Sequence, residues 1–177
     1  MSWYDVETAV VRTVKSVYPS LTVIKGYSNG PEPTTAYAWV DLINLDPAGR
    51  EQSSSLTSDG VLQTTEHFIG RCRITFVGKD VAGNHGGDLA AGFAEALSLP
   101  SILEFMEGQK LSLMSKGTLK RIPKMRETQW YNSYVIEIVI GYQTTTTEAN
   151  DGITTIILDG EYVEGNDTIT QQITISE

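Results

Sequence analysis

From Tyr134 to Tyr142 every second residue is large and apolar: Tyr134, Ile136, Ile138, Ile140 and Tyr142. A period of two puts all five on one face of a β-strand. Val135 and Val139 make the opposite face largely apolar as well, so this strand needs cover on both sides and belongs in the middle of a sheet. That requirement restricts the chain to folds with a layered β core. Other segments read as its neighbours. Between Gly60 and Gly78, Cys72, Ile74 and Phe76 alternate with Arg71, Arg73 and Thr75, the pattern of a half-buried strand, and a change of phase at Ile69-Gly70 predicts a bulge there. Leu21 to Tyr27, Tyr37 to Leu45 and Leu111 to Ile122 read as further strands, the last weakened by Gly117 and closed by Pro123.

Helical spacing appears in three places. Val6, Val10, Val14 and Val17, with Ala9 alongside, form the apolar stripe of a first helix that Ser2 can cap and Pro19 stops. Leu89, Phe93 and Leu97 predict a second helix beginning between Asp80 and Asn84. Ser101 with Glu104 has the spacing of a capping box for a short third helix ending at Gly108. Asp46 to Asp59, with Ser53-Ser54-Ser55 at its centre, reads as a mobile loop or a long hairpin tip. Thr144 to Thr147 reads as a linker. Beyond it, Ile153 to Leu158 with Ile169, Ile173 and Ile175 predicts a hairpin around Asp159 to Asp167. The expected class is α+β: a mixed, mainly antiparallel central sheet, flanked by an N-terminal helix and a helix after the third or fourth strand. Residues 1–149 form the main domain and 150–177 a C-terminal β-hairpin extension. Two strands alone are marginal in water, so the extension must pack on something.

Charge is segregated along the chain. Every Lys and Arg lies at or before Arg126, while Glu127 to Glu177 holds nine acids and no base. Immediately upstream, Gln109 to Arg126 contains Lys110, Lys116, Lys120, Arg121, Lys124 and Arg126 and no acid. Complementary potentials steer association and set register, so the basic stretch is a candidate subunit interface for the acidic region of a second copy. The bland alternative is a solvated face. A pI near 4.7 argues against general nucleic-acid binding. With no export signal or membrane span in evidence and one cysteine, the chain is expected to be soluble in a reducing cytosol, without a membrane partner.

Catalytic patterns are thin. His67 and Cys72 meet His85 and Asp88 only through folding, and no CxxC or HExxH organises them into a zinc site. His85-Gly86-Gly87-Asp88 fits neither the phosphate-loop nor the dinucleotide pattern and reads as a flexible helix start. Asp41 and Glu137 could form a carboxylate pair, but Arg71 and Arg73 offer them simpler salt-bridge partners. Trp39, Trp130 and Tyr131 could stack on a base or sugar, although aromatics in sheets more often pack in cores or subunit contacts. No cofactor and no enzyme activity is expected.

Three blocks carry a family resemblance. Gly26-Tyr27-Ser28-Asn29-Gly30-Pro31-Glu32-Pro33 with Tyr37 comes first; Phe76-Val77-Gly78-Lys79-Asp80 before a helix comes second; Trp130 leading to Gly141-Tyr142 comes third. In order and spacing they resemble the neck or tail terminator proteins of tailed bacteriophages, over about Trp3 to Ile153. One departure is Tyr131-Asn132-Ser133, where the family often has an acid and an arginine. The C-terminal hairpin lies beyond the resemblance. The resemblance implies a structural virion protein of the neck, a homo-hexameric ring that terminates the tail tube and joins the tail to the head connector. Its implied partners are other copies of itself, the tail tube protein, a head-completion or connector protein and the sheath, with DNA passing through the lumen without specific binding. The implied location is the virion, and the host cytoplasm during assembly. A head-completion or connector adaptor is the alternative within the virion, and a small enzyme using His85 the alternative outside it.

Overall fold

A computed structural model of the chain describes residues 3–26, 32–49, 53–57, 61–78, 85–126, 129–149, 155–164 and 167–176. In chain order these form α1 (Trp3–Val17), β1 (Thr22–Lys25), β2 (Tyr37–Pro47), β3 (Ser53–Leu56), β4 (Val61–Val77), α2 (Gly86–Ala96), α3 (Pro100–Gly108), β5 (Leu111–Lys116), β6 (Lys120–Arg126), β7 (Gln129–Ala149), β8 (Thr155–Glu164) and β9 (Asp167–Ser176). The fold is α+β. A seven-stranded sheet runs β1-β2-β4-β7-β5, with β3 joined to β4 and β6 joined to β7, and β8 and β9 form a separate pair. β1 is parallel to β2, whereas β2–β4, β5–β7 and β6–β7 are antiparallel.

The described residues fall into two compact units, 1–52 with 65–144 and 53–64 with 145–177. The first holds the core. Ala38, Val40 and Leu42 of β2 face the same side as Phe76, Ile74 and Cys72 of β4 through direct cross-strand pairing, and Ile136, Ile138 and Ile140 of β7 join them. Val6, Val10 and Val14 of α1, Ala90 and Phe93 of α2, and Met106 of α3 pack into the same buried cluster. Periodicity of two on the strands and of three to four on the helices therefore meets in one apolar layer. Phe76 lies at its centre, 5.5 Å from the ring of Phe93 and edge-on to Tyr18 at 6.3 Å. In the second unit β3 and the start of β4 are linked across Thr57, whose amide donates to the Val61 carbonyl at 2.9 Å. The β8–β9 pair runs in unbroken register from Thr155↔Ser176 to Glu164↔Asp167.

Several expectations are corrected. The irregularity near Ile69-Gly70 sits on the partner strand, where the pairing skips Ile43 between Leu42 and Asn44. A bulge turns the strand that carries the extra residue, and only the pairing shows which strand that is. α2 begins at Gly86 with His85 as N-cap, later than the expected start. α3 is capped by Leu99 without a side-chain bond, and Pro100 at its first turn presets the helical φ, so Ser101 lies inside the helix. The single strand expected over Leu111 to Ile122 is two strands, and Pro123 lies within β6 instead of closing it. Thr144 to Thr147 continue β7 and are no linker, because β-branched threonines suit a strand whatever their polarity. Ser53 to Ser55 belong to β3, and β8 and β9 extend through the region expected to be their loop.

Candidate functional site

The basic stretch is one edge of the large sheet. Leu111 is buried and anchors β5 to the core, and its pairing with Tyr142 sets the register against β7. β6 bonds farther along the same strand, from Lys120↔Val135 to Arg126↔Gln129. Between them the Gly117 amide donates to the Glu137 carbonyl at 2.7 Å, and a β-carbon there would come within 3.0 Å of that oxygen. Among the described residues, no strand pairs with the outer side of β5 or β6. The edge also exposes apolar groups: Met114, Leu119 and Ile122. The pairing shift between Leu113 and Ser115 sets Met114 apart, with its sulfur 3.7 Å from where a β-carbon on Gly141 would stand.

The six bases of this stretch do different things. Lys116 Nζ donates to the Ala94 carbonyl at 3.0 Å and to Ser98 Oγ at 2.5 Å, satisfying acceptors at the C-terminal end of α2. Arg121 donates from Nε and Nη2 to Asn132 Oδ1 at 3.0 and 2.6 Å, across the β6–β7 pair. Lys110 and Lys120 are exposed. Lys110 has φ 61, a left-handed conformation unusual for a residue with a β-carbon, where the chain leaves α3 for β5. Lys124 and Arg126 stand opposite Tyr131 and Gln129, and their side chains lie outside the described residues. Beside Lys110 an open groove of about 470 Å³ is bounded by His67, Ile69, Met114, Tyr142 and Gln143.

The motif residues are mainly structural where they are described. Gly26 donates its amide to the Val40 carbonyl at 2.6 Å, and a β-carbon on it would stand 3.1 Å from Asp41 Oδ1. Tyr37 is buried and its hydroxyl bonds Glu32. Pro33 is half-buried between them. Phe76 is fully buried, and Gly78 lies against the start of α2, where a β-carbon on Gly86 would come within 3.0 Å of its nitrogen. Asn29, Gly30, Pro31 and Asp80 lie outside the described residues, as does the side chain of Trp130.

The chemical candidates do not converge. Arg73 donates from Nε and Nη2 to Glu137 Oε1 at 3.1 and 2.9 Å, so this carboxylate is engaged by a cation. Asp41 is the direct cross-strand neighbour of Arg73. Cys72 is buried, and desolvation pushes its thiol far above the ordinary range, with Asp41 and Glu7 adding to the rise; such a thiol is a poor nucleophile. His85 Nδ1 accepts the Gly87 amide at 3.2 Å while its ring lies 5.4 Å from that of Tyr134, which is the work of a helix cap. Among the described residues no three His, Cys, Asp or Glu side chains gather as a metal set, and no single helix is long and apolar enough to cross a membrane. Two contacts had no signal in the sequence. Lys25 lies over the Tyr4 ring, 2.9 Å from its centroid, and Tyr18 donates to the Leu89 carbonyl at 2.8 Å, tying the end of α1 to α2.

Among curated proteins none matches this chain. A sheath/tube terminator of the PVC extracellular contractile injection system, solved in its extended state, superposes with a TM-score of 0.49 at 10% identity and covers 94% of this chain, which spans 65% of that protein's length. A second solved chain gives a TM-score of 0.38 at 15% identity, covering 81% of this chain and 95% of its own. Likenesses at this level say nothing of function. The family model described as phage neck terminator protein matches residues 4–167, which takes in the large sheet, the three helices and β8, and so reaches beyond the extent of the sequence resemblance into the C-terminal hairpin. The chain belongs to the phage neck terminator proteins, structural components that end the tail of the virion.

Proposed function

We propose that this terminator acts as a closed homo-hexameric ring, seated on the end of the tail tube and presenting its other face to the head-completion or connector protein. The observation that carries this reading is the family match, joined to the segregation of charge: an acid-free sheet edge and an acidic C-terminal region on one chain. Rings require heterologous contacts, in which one patch meets a different patch on the next copy, and two patches of opposite sign meet that requirement. Lys110, Lys120, Lys124 and Arg126 are the bases we assign to the contact. Lys116 and Arg121 also hold their own fold together.

The same reading makes the chain a docking part and not a catalyst, which agrees with the engagement of Glu137 by Arg73 and the burial of Cys72. A net charge of −9 lets a ring pass DNA through its lumen without holding it, since like charge forgoes the counterion release that drives binding. The sheath is a further neighbour in a contractile tail, and assembly takes place in the host cytoplasm. The test is the native mass of the purified protein, alone and mixed with tail-tube subunits. A closed ring that binds the tube supports the proposal. A monomer at all concentrations, or a ring that binds portal and ignores the tube, overturns it, the latter in favour of a connector adaptor.

A further inference from the structure

The pairing of β8 with β9 sorts the hairpin into two unlike faces. Ile156↔Ile175, Leu158↔Ile173 and Tyr162↔Ile169 are direct cross-strand pairs two or four residues apart and so share one face. Ile157↔Thr174, Asp159↔Gln172, Glu161↔Thr170 and Val163↔Thr168 share the other. The first face also carries Gly160↔Gln171 and, at the turn end, Glu164↔Asp167; apart from these pairs it is apolar, whereas the other is mostly polar, with Asp159 and Glu161 on it. The two strands contain no base. A two-stranded sheet with an apolar face gains stability from a third strand or a packing surface.

The β5–β6 edge has matching properties. It runs along the rim of the large sheet from Leu111 to Arg126, and among the described residues its outer side bonds no strand. Lys120, Ile122 and Lys124 share one face, since they pair with Val135, Ser133 and Tyr131. That face is opposite the one carrying Ile136, Ile138 and Ile140, on which α1, α2 and α3 pack. Lysines, a bulge and a proline are the devices that keep sheet edges from pairing indiscriminately. Here all the charges have one sign, so they repel a second basic edge and attract an acidic strand.

Resting on the reading of the chain as a ring, we propose that the β8–β9 hairpin of one copy adds to the β5–β6 edge of the next, extending its sheet. Added in this way, the face with Asp159 and Glu161 continues the face with Lys120 and Lys124. The face with Ile156, Leu158 and Tyr162 continues the helix-covered side. Strand addition supplies main-chain bonds, and the charge match supplies orientation and selectivity.

Two variants test this, one with Lys120→Glu and Lys124→Glu, the other with Asp159→Lys and Glu161→Lys. In sedimentation velocity at low salt, each alone should self-associate at least about tenfold more weakly than the parent, because like charges then meet across the contact. Mixed in equal amounts they should assemble again, since each edge finds a complementary hairpin on the other variant. Restoration by mixing requires a contact between copies. A parent that forms a ring while the mixture stays dissociated overturns the docking site and leaves the ring reading standing. A hairpin held on its own domain gives that same absence of restoration, together with rescue when all four changes are placed in one chain. A parent that is monomeric throughout removes the ring reading as well.

Discussion

A β-carbon added to Gly92 would stand 2.5 Å from the hydroxyl oxygen of Tyr18. That hydroxyl donates to the Leu89 carbonyl at 2.8 Å, so the ring is held over the glycine from one end of α1 to the middle of α2. Alanine is the better helix former by about 1 kcal/mol, and the clash works against it. We expect Gly92→Ala to destabilise the protein by about 1 kcal/mol, because displacing Tyr18 also strips a hydrogen bond. In a Tyr18→Phe background the oxygen is gone and the same change should become neutral or stabilising. Denaturant midpoints of the four proteins check this, and a Gly92→Ala cost that is the same in both backgrounds would refute the pairing.

The Arg73–Glu137 ion pair has both side chains more than one third exposed. Such pairs contribute little, so Glu137→Gln should cost about 0.5 kcal/mol and the loss should shrink as salt is added. Assembly should be unaffected. A loss of several kcal/mol, independent of salt, would show that this pair is a buried determinant of the fold.

Lys116 and Lys120 lie in the same basic stretch and should behave oppositely. Lys116→Ala removes a cation from the C-terminal end of α2 and should lower stability by about 0.5–1 kcal/mol. Lys120→Glu should leave the thermal midpoint within the error of measurement while weakening self-association. Thermal melts beside sedimentation data separate the two effects. Equal effects on both readouts would show that one role had been assigned to two residues.

Cys72, Tyr18, Tyr37 and Tyr142 all have their pKa values raised, chiefly by desolvation. Each is an acid that the fold keeps protonated. Its contribution to stability is therefore complete below the unfolded value and is lost as pH rises above that value toward the folded one. The ordinary values are 9.0 for the thiol and 10.0 for the tyrosines, so the midpoint of unfolding should start to fall near pH 9.0 and fall faster above 10.0. Cys72→Ala should move the onset toward 10.0. An onset unchanged by that substitution would mean that the thiol is accessible to water.

Gly49 has φ 101 and nothing within 4 Å of the place where its β-carbon would be. Space is free there and backbone conformation is not. Gly49→Ala should cost about 1–2 kcal/mol through the backbone alone. A neutral result in a thermal melt would show that the turn relaxes to a negative φ.

The alternation from Tyr134 to Tyr142 was legible because one face is apolar at every second residue. On that face Ile136, Ile138 and Ile140 are buried and Tyr134 and Tyr142 half-buried, while the other face is covered only in part, with Val139 half-buried and Glu137 more than one third exposed. α1 was legible for the same reason at helical spacing. What escaped detection depended on a partner. The residue that the pairing skips is Ile43, while β4 keeps its alternation through Ile69 and Gly70; Ile69 is an exposed isoleucine and Gly70 is buried, which in the sequence looks like a change of phase. Ser101 and Glu104 have capping-box spacing, but Pro100 in the first turn of α3 outweighs them by presetting φ. Pro123 looked like a strand end because proline cannot donate, and an edge strand tolerates that loss. Of the candidate contact surface, the concentration of charge was plain. The bonds that occupy Lys116 and Arg121 join residues 22 and 11 positions apart, and only the folded chain brings those together.

At φ 61, Lys110 holds a backbone conformation in which glycine would relieve roughly 1 kcal/mol of strain. Replacement by glycine is the simplest route to a more stable α3–β5 turn, and it would remove a positive charge from the rim of the groove beside Met114. A lysine at this position therefore keeps a charge on the rim of that groove at the expense of local backbone stability.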